Sequence, residues 1–209
     1  MKETRILVGA EIRTASAKQM RVSGLAARYN SVTTIGDAKN KRSFREVLAP
    51  GAFRAALTPA ALKENDPTFR VNHDPNQVMG RLSAGTLRLR ESGDGLEFEC
   101  DFPDSEAGRN AYESIRRGDI RHCSFGFDDV DDDWEIDGDR KAKRTIRSIR
   151  RLSDVSAVTE PAYRETFVNA RSEQRSQIEI PQQFIVEEPE TDSVEAIARR
   201  RQLLGIALI

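Results

Sequence analysis

Over most of the first 170 positions, hydrophobic residues recur at every second place, the period of a strand with one buried face. The pattern is clearest in the middle of the chain. Leu87 and Leu89 alternate with polar neighbours, Glu91-Ser92-Gly93-Asp94-Gly95 supplies turn chemistry, and Leu96, Phe98, Cys100 and Phe102 then alternate with acids. This predicts a β-hairpin. Further strands are predicted over 6–13, 20–29, 120–130, 145–151 and 155–159.

Helical signals are fewer. Pro50 suits the first turn of a short helix through Leu57, and Thr58-Pro59 can open another through Glu64. Asp104 or Ser105 can cap a helix that runs through Ala107, Ala111, Tyr112 and Ile115 and ends at Gly118. The class expected is α+β, mainly antiparallel β, with a few helices packed on the sheet.

The character changes after about Arg171. Residues 171–190 are polar and then acidic, which predicts a linker, and 191–209 turn amphipathic, with Asp192 and Glu195 placed as a capping pair for a terminal helix. Residues 1–170 would then form the folded domain. Asp128 to Asp139 holds seven aspartates and one glutamate around Trp134 and is expected to be a solvated loop on a long hairpin. It lacks the spacing and central glycine of a calcium loop.

Composition bounds the function more than it names it. Of 209 residues, 38% are hydrophobic and 32% charged, and 33 basic against 34 acidic side chains leave a net charge of −1. No overall field attracts a nucleic acid or an anionic membrane, and neither partner is expected. The start lacks the apolar run of a signal peptide and no stretch of 18 apolar residues occurs, so the protein is expected to stay where it is made. Cys100 and Cys123 are too few for a disulfide framework and lie in apolar patterns, which predicts buried, reduced thiols.

The candidate chemistry rests on one hydroxyl. Alternation around Ser124 places Ile120, His122, Ser124 and Gly126 on one face and Cys123, Phe125 and Phe127 on the core face. Ser124 would then meet a different surface, where Gly126 leaves room for a substrate backbone. A serine needs a base to become nucleophilic, and histidine, with an unperturbed pKa of about 6.5, suits that task. The chain has two, His73 and His122. His122 shares a strand with Ser124 and can only lie beside a site, whereas His73 sits in the turn-like string Asn72-His73-Asp74-Pro75. Asp154, on a predicted strand, could orient an imidazole. Each residue alone also fits an ordinary role: a serine on a half-buried strand, a surface histidine in a turn. A metal site from His73, Asp74 and Asp101 lacks ligand spacing, and no metal or cofactor is expected.

Six short strings in order tie these residues together. They are Val22-Ser23-Gly24-Leu25-Ala26-Ala27-Arg28-Tyr29-Asn30; Phe44-Arg45-Glu46-Val47-Leu48-Ala49-Pro50-Gly51-Ala52-Phe53; and Asn72-His73-Asp74-Pro75 with Met79-Gly80-Arg81. Then come Gly95-Leu96-Glu97-Phe98; Gly118-Asp119-Ile120 leading into Cys123-Ser124-Phe125-Gly126-Phe127; and Asp154-Val155-Ser156-Ala157-Val158-Thr159-Glu160-Pro161-Ala162-Tyr163. Together they resemble the caudoviral prohead protease family, the capsid maturation proteases of tailed phages of the HK97 type.

The resemblance implies that His73 is the base, Ser124 the nucleophile and Asp154 the acidic third member. Family members often carry an aromatic residue before the proline, where this chain has Glu160, which makes Glu160 a rival for the third place. It also implies a barrel-like fold similar to that of the herpesvirus maturation proteases, action inside the assembling procapsid in the host cytoplasm, and no cofactor. The implied substrates are the scaffolding protein, or the scaffold segment of the major capsid protein, and the protease itself, cut within 171–190. A homodimer follows by analogy. Two other classes remain open at this point: a non-catalytic capsid assembly or scaffolding factor of the same fold, and a cysteine hydrolase using Cys123.

Overall fold

A computed structural model describes residues 2–7, 12–16, 19–36, 43–159 and 180–185. The chain begins with β1 (Glu3–Leu7), β2 (Ile12–Ser16), β3 (Arg21–Arg28), β4 (Thr33–Ile35) and β5 (Phe44–Leu48). Helix α1 (Pro59–Asn65), β6 (Thr68–Val71), β7 (Val78–Arg81), β8 (Leu87–Glu91) and β9 (Gly95–Asp101) follow. Helix α2 (Glu106–Arg117) leads into the two longest strands, β10 (His122–Ile136) and β11 (Ala142–Val158).

The strands form two sheets. One runs β1-β10-β11-β5-β4, with β6 also paired to β11 and β7 to β6; the other runs β2-β3-β9-β8. Among the described residues every pairing is antiparallel except those of β11 with β5 and with β6. The architecture is therefore α+β and mainly antiparallel, as the alternation implies. Barrel-like closure is not seen among the described residues, where the two sheets remain separate and β1 and β4 end the larger one.

Strand β11 organises the larger sheet because it is long enough to take two parallel partners in succession. Lys143 to Ile146 pair with Arg45 to Leu48, and Asp154 to Ala157 pair with Thr68 to Val71. The chain between β5 and β6 fills the gap: Ala49 N–H donates to Ile146 O at 2.9 Å and Ile149 N–H to Ala52 O at 2.7 Å. The helix expected from Pro50 to Leu57 is here a series of hydrogen-bonded turns. These turns hold Ala52 and Phe53 fully buried under β11 while the backbone still pairs with it.

The core lies between the sheets and includes a set of aromatic rings that link them. Phe69 of the larger sheet meets Phe98 of the smaller at 5.1 Å between ring centres and Phe102 at 5.5 Å. Phe125 packs against Phe53 at 5.4 Å and Phe127 at 5.1 Å. Ser105 caps α2 by accepting from Gly108 N–H at 3.2 Å, Gly118 ends it in the left-handed region, and Ala111, Tyr112 and Ile115 are buried. Cys100 and Cys123 are both buried and unbridged.

The acidic stretch is not a loop. β10 runs on to Ile136, and its acids pair across the hairpin with bases of β11: Asp129 with Arg150 at 2.9 Å, Asp133 with Arg147, Glu135 with Lys143 at 2.7 Å. Composition alone hides this, because charge complementarity between two strands shows only once their register is known. Of the tail, 180–185 are described. Ile180 and Phe184 pack with Trp134 against a small cluster of Ile35, Phe44 and Ala142. Most of the expected linker, and the whole of the expected terminal helix over 191–209, lie outside the described residues.

Phe69 is fully buried at the junction of the two sheets, one turn of chain before His73. Phe69→Ala is expected to cost about 3–5 kcal/mol of unfolding free energy, read from urea midpoints at unchanged m-value.

Candidate active site

Three strands and one turn of the larger sheet converge here. Ser124 on β10 pairs with Ser156 on β11, which puts the two side chains on one face. Asp154 stands two residues before Ser156 on that same face. Its aim depends on an irregularity: Gly126 pairs with Asp154 but Phe127 pairs with Leu152, so Ser153 is an extra residue on β11. Such a bulge re-aims its neighbours, and Ser153 Oγ fastens it by donating to Gly126 O at 2.9 Å.

His73 enters from the connection between β6 and β7. β6 lies parallel to β11, with Arg70 opposite Ser156 and Val71 opposite Ala157, so the residues just after β6 arrive beside the Ser124–Asp154 face. Asn72 and His73 both take the left-handed conformation, with φ of 51° and 58°. Asparagine and histidine enter this region more readily than most side chains, and backbone strain of this kind needs surrounding contacts to persist. Asn72 N–H donates to Ala157 O at 2.9 Å, Asn72 Oδ1 accepts from Thr159 N–H at 3.1 Å, and Asp74 N–H closes the turn on Val71 O at 3.0 Å.

The geometry brings the three sequence candidates into one chain of contacts. His73 Nδ1 lies 2.5 Å from Asp154 Oδ2, and His73 Nε2 lies 2.5 Å from Ser124 Oγ. With Nδ1–H donating to the carboxylate, Nε2 is left as the acceptor for the serine hydroxyl. Ser124 and Asp154 are fully buried, while the His73 side chain is 20% exposed.

Asp154 is ionised despite its burial. Desolvation pushes its pKa up, but the hydrogen bonds and charges of His73 and Lys2 outweigh it and hold the carboxyl well below the usual carboxylate range. Lys2 Nζ donates to Oδ1 at 2.7 Å, and Ser156 Oγ donates to Oδ2 at 3.0 Å while lying 3.1 Å from His73 Nδ1. Lys2, Ser153 and Ser156 were not legible as parts of the site. The one signal was Ser153 and Ser156 flanking an acid in a buried strand, since buried hydroxyls require partners.

Two expectations change, those for the surroundings of Ser124 and of Gly126. Ser124 faces no open surface: its hydroxyl is enclosed, and besides His73 it meets the carbonyl of Arg5 on β1 at 2.8 Å. The space beside Gly126 is not left for a substrate backbone, because a Cβ there would lie 2.6 Å from Asp154 Oδ1 and 2.8 Å from both Lys2 Cε and Ser153 Oγ. Cys123 is fully buried on the opposite face, where desolvation pushes its thiol pKa up, the reverse of what a reactive thiolate needs. His122 lies opposite Val158, two residues before Ser124 on β10. Glu160 lies outside the described residues. Among the described residues no cluster of His, Cys, Asp and Glu is arranged to hold a metal ion.

Comparison with known proteins adds a family. Residues 9–180 match the sequence model of the caudovirus prohead serine proteases. No curated protein matches the chain. Among solved structures, the bacteriophage T4 capsid assembly protease gp21 superposes with a TM-score of 0.46 at 14% identity, over 77% of this chain and 99% of that one.

Gly126→Ala is expected to displace Asp154 and so abolish the low-field proton resonance of the His73 Nδ1–H···Asp154 bond in NMR spectra. The Asp154 carboxyl, depressed in the fold, contributes stability that is complete above about pH 4 and is lost as pH falls through its lowered value. Asp154→Asn should flatten that acid limb in a stability-against-pH series.

Proposed function

The chain belongs to the caudovirus prohead serine protease family, and on that premise we propose that it is a capsid maturation endopeptidase using Ser124, His73 and Asp154 as its catalytic triad. The single observation that carries the assignment is the contact chain at 2.5 Å on each side of the His73 ring. Ser124 Oγ attacks the scissile carbonyl as its proton passes to His73 Nε2, and a tetrahedral intermediate forms. His73 returns the proton to the leaving amine, which gives an acyl-enzyme and the first product. Water, deprotonated by the same nitrogen, releases the second. Asp154 holds the Nδ1–H and steadies the imidazolium throughout.

The substrates in this reading are the scaffolding protein or the scaffold segment of the major capsid protein, met inside the procapsid in the host cytoplasm, and the protease itself. The stretch 171–190 is the proposed region of self-cleavage, and 191–209 an amphipathic helix for targeting or assembly. The fold is taken as a relative of the herpesvirus maturation protease fold, and the oligomer as a homodimer, both by analogy. Among the described residues no helix is long and apolar enough to cross a membrane. The elevated thiol pKa of Cys123 counts against the cysteine hydrolase.

Mass spectrometry of the purified chain should show it trimmed near 171–190, and the Ser124→Ala chain at full length; trimming of both would refute the assignment. In comparable triads, loss of the carboxylate lowers turnover on the order of 10⁴-fold, which Asp154→Asn should reproduce and Glu160→Gln should not. The reverse result would make Glu160 the third member.

A further inference from the structure

We propose that β1 occupies the groove in which this enzyme binds its substrate, and that a substrate segment replaces it as an extended strand on β10 with a basic side chain where Arg5 now lies. The inference rests on the serine endopeptidase reading above.

Its first support is the closure of the nucleophile. Attack on a peptide requires the carbonyl carbon within about 3–3.5 Å of the hydroxyl. Ser124 has no exposed surface, and the carbonyl of Arg5 takes a place 2.8 Å from Oγ. That carbonyl presents its oxygen as a hydrogen-bond acceptor. The hydroxyl has one proton and two acceptors, Arg5 O and His73 Nε2. Whenever the proton points at Arg5, the base cannot take it. The same geometry accounts for β1 lying at the nucleophile uncut.

The second support is how β1 is bound. Among the described residues it pairs only with β10, antiparallel, from Glu3 opposite Phe127 to Leu7 opposite Cys123, at the end of the sheet. This is the way an extended peptide adds to a free sheet edge, with main-chain bonds for affinity and side-chain pockets for selectivity. Lys2, at the head of the strand, ties itself to Asp154 at 2.7 Å. The span that matches the family begins at residue 9, after β1.

The third support assigns the selectivity. The residue whose carbonyl meets Ser124 is Arg5, so its side chain marks the pocket for the residue on the acyl side of the cut bond. Its guanidinium donates through Nε and Nη2 to the two carboxylate oxygens of Glu46, the latter at 2.8 Å, and lies 5.4 Å above the Phe127 ring. A planar fork on a buried carboxylate over an aromatic face selects arginine, or lysine less well. When Arg5 leaves, Glu46 keeps Arg144 at 3.0 Å, so its charge stays paired until a substrate arrives.

The test uses the full chain. A fluorophosphonate bonds through phosphorus to Ser124 Oγ, with fluoride leaving and His73 taking the proton, and its rate reports access to the nucleophile. In Lys2→Ala, which loses the tie between β1 and Asp154, labelling should be about tenfold faster than in the unaltered chain. Excess peptide of residues 1–8 should slow it again. Equal rates in the two proteins overturn the proposal for β1. Peptides with Arg before the cut should exceed those with Leu in kcat/KM by about two orders of magnitude, and Glu46→Gln should collapse that ratio. No preference, or a ratio untouched by Glu46→Gln, overturns the assignment of the pocket. Absence of label on Ser124 in both proteins defeats the serine endopeptidase reading itself, and this proposal with it.

Discussion

A carboxylate with no exposed surface has to be compensated on all sides, and Asp154 is the point on which the rest of the site depends. Its two oxygens are shared among His73, Lys2, Ser156 and Ser153. Each of these partners fixes something else. His73 sets the turn between β6 and β7, Ser156 lies opposite Ser124, Ser153 makes the bulge that turns Asp154 inward, and Lys2 anchors the first strand. Removing the carboxylate would strand the donors of His73, Lys2 and Ser156, while Ser153 keeps the carbonyl of Gly126.

A second buried charge cluster repeats this logic on the way from β1 to the far end of β11. Arg5 joins Glu3 and Glu46, and Arg144 joins Glu3, Glu46 and Asp132. Arg144 holds its proton strongly: burial acts against the cation, but the surrounding carboxylates outweigh it. Paired charges of this kind add little net stability compared with an apolar core, yet a single missing partner is costly. Their effect is register. β1 can lie in only one alignment on β10, and that alignment brings Lys2 to Asp154 and Arg5 to Ser124.

Much of the fold was legible because alternation survives wherever one face is buried. The hairpin of β8 and β9, the helix capped at Ser105 and ended at Gly118, and the beginning of β10 follow from local pattern. Strands β4 to β7 were missed or left unmarked, being three to five residues long, too short for a period to show. The continuity of β11 was missed because the bulge at Ser153 breaks the alternation into two apparent strands. The Pro50–Leu57 segment misled for the opposite reason: its local helix signals are overridden by hydrogen bonds to β11.

By itself the sequence determined the class of the fold, the three candidate side chains and the motifs that tie the chain to its family, because residue type, spacing and local periodicity are properties of contiguous chain. Only the tertiary structure decided that His73, 51 residues from Ser124 and 81 from Asp154, bridges them. It alone showed the Ser124 hydroxyl enclosed beneath β1 and Gly126 reserved for Asp154. Those facts depend on strand register and on one extra residue in β11, and a shift of a single residue would send every side chain to the other face.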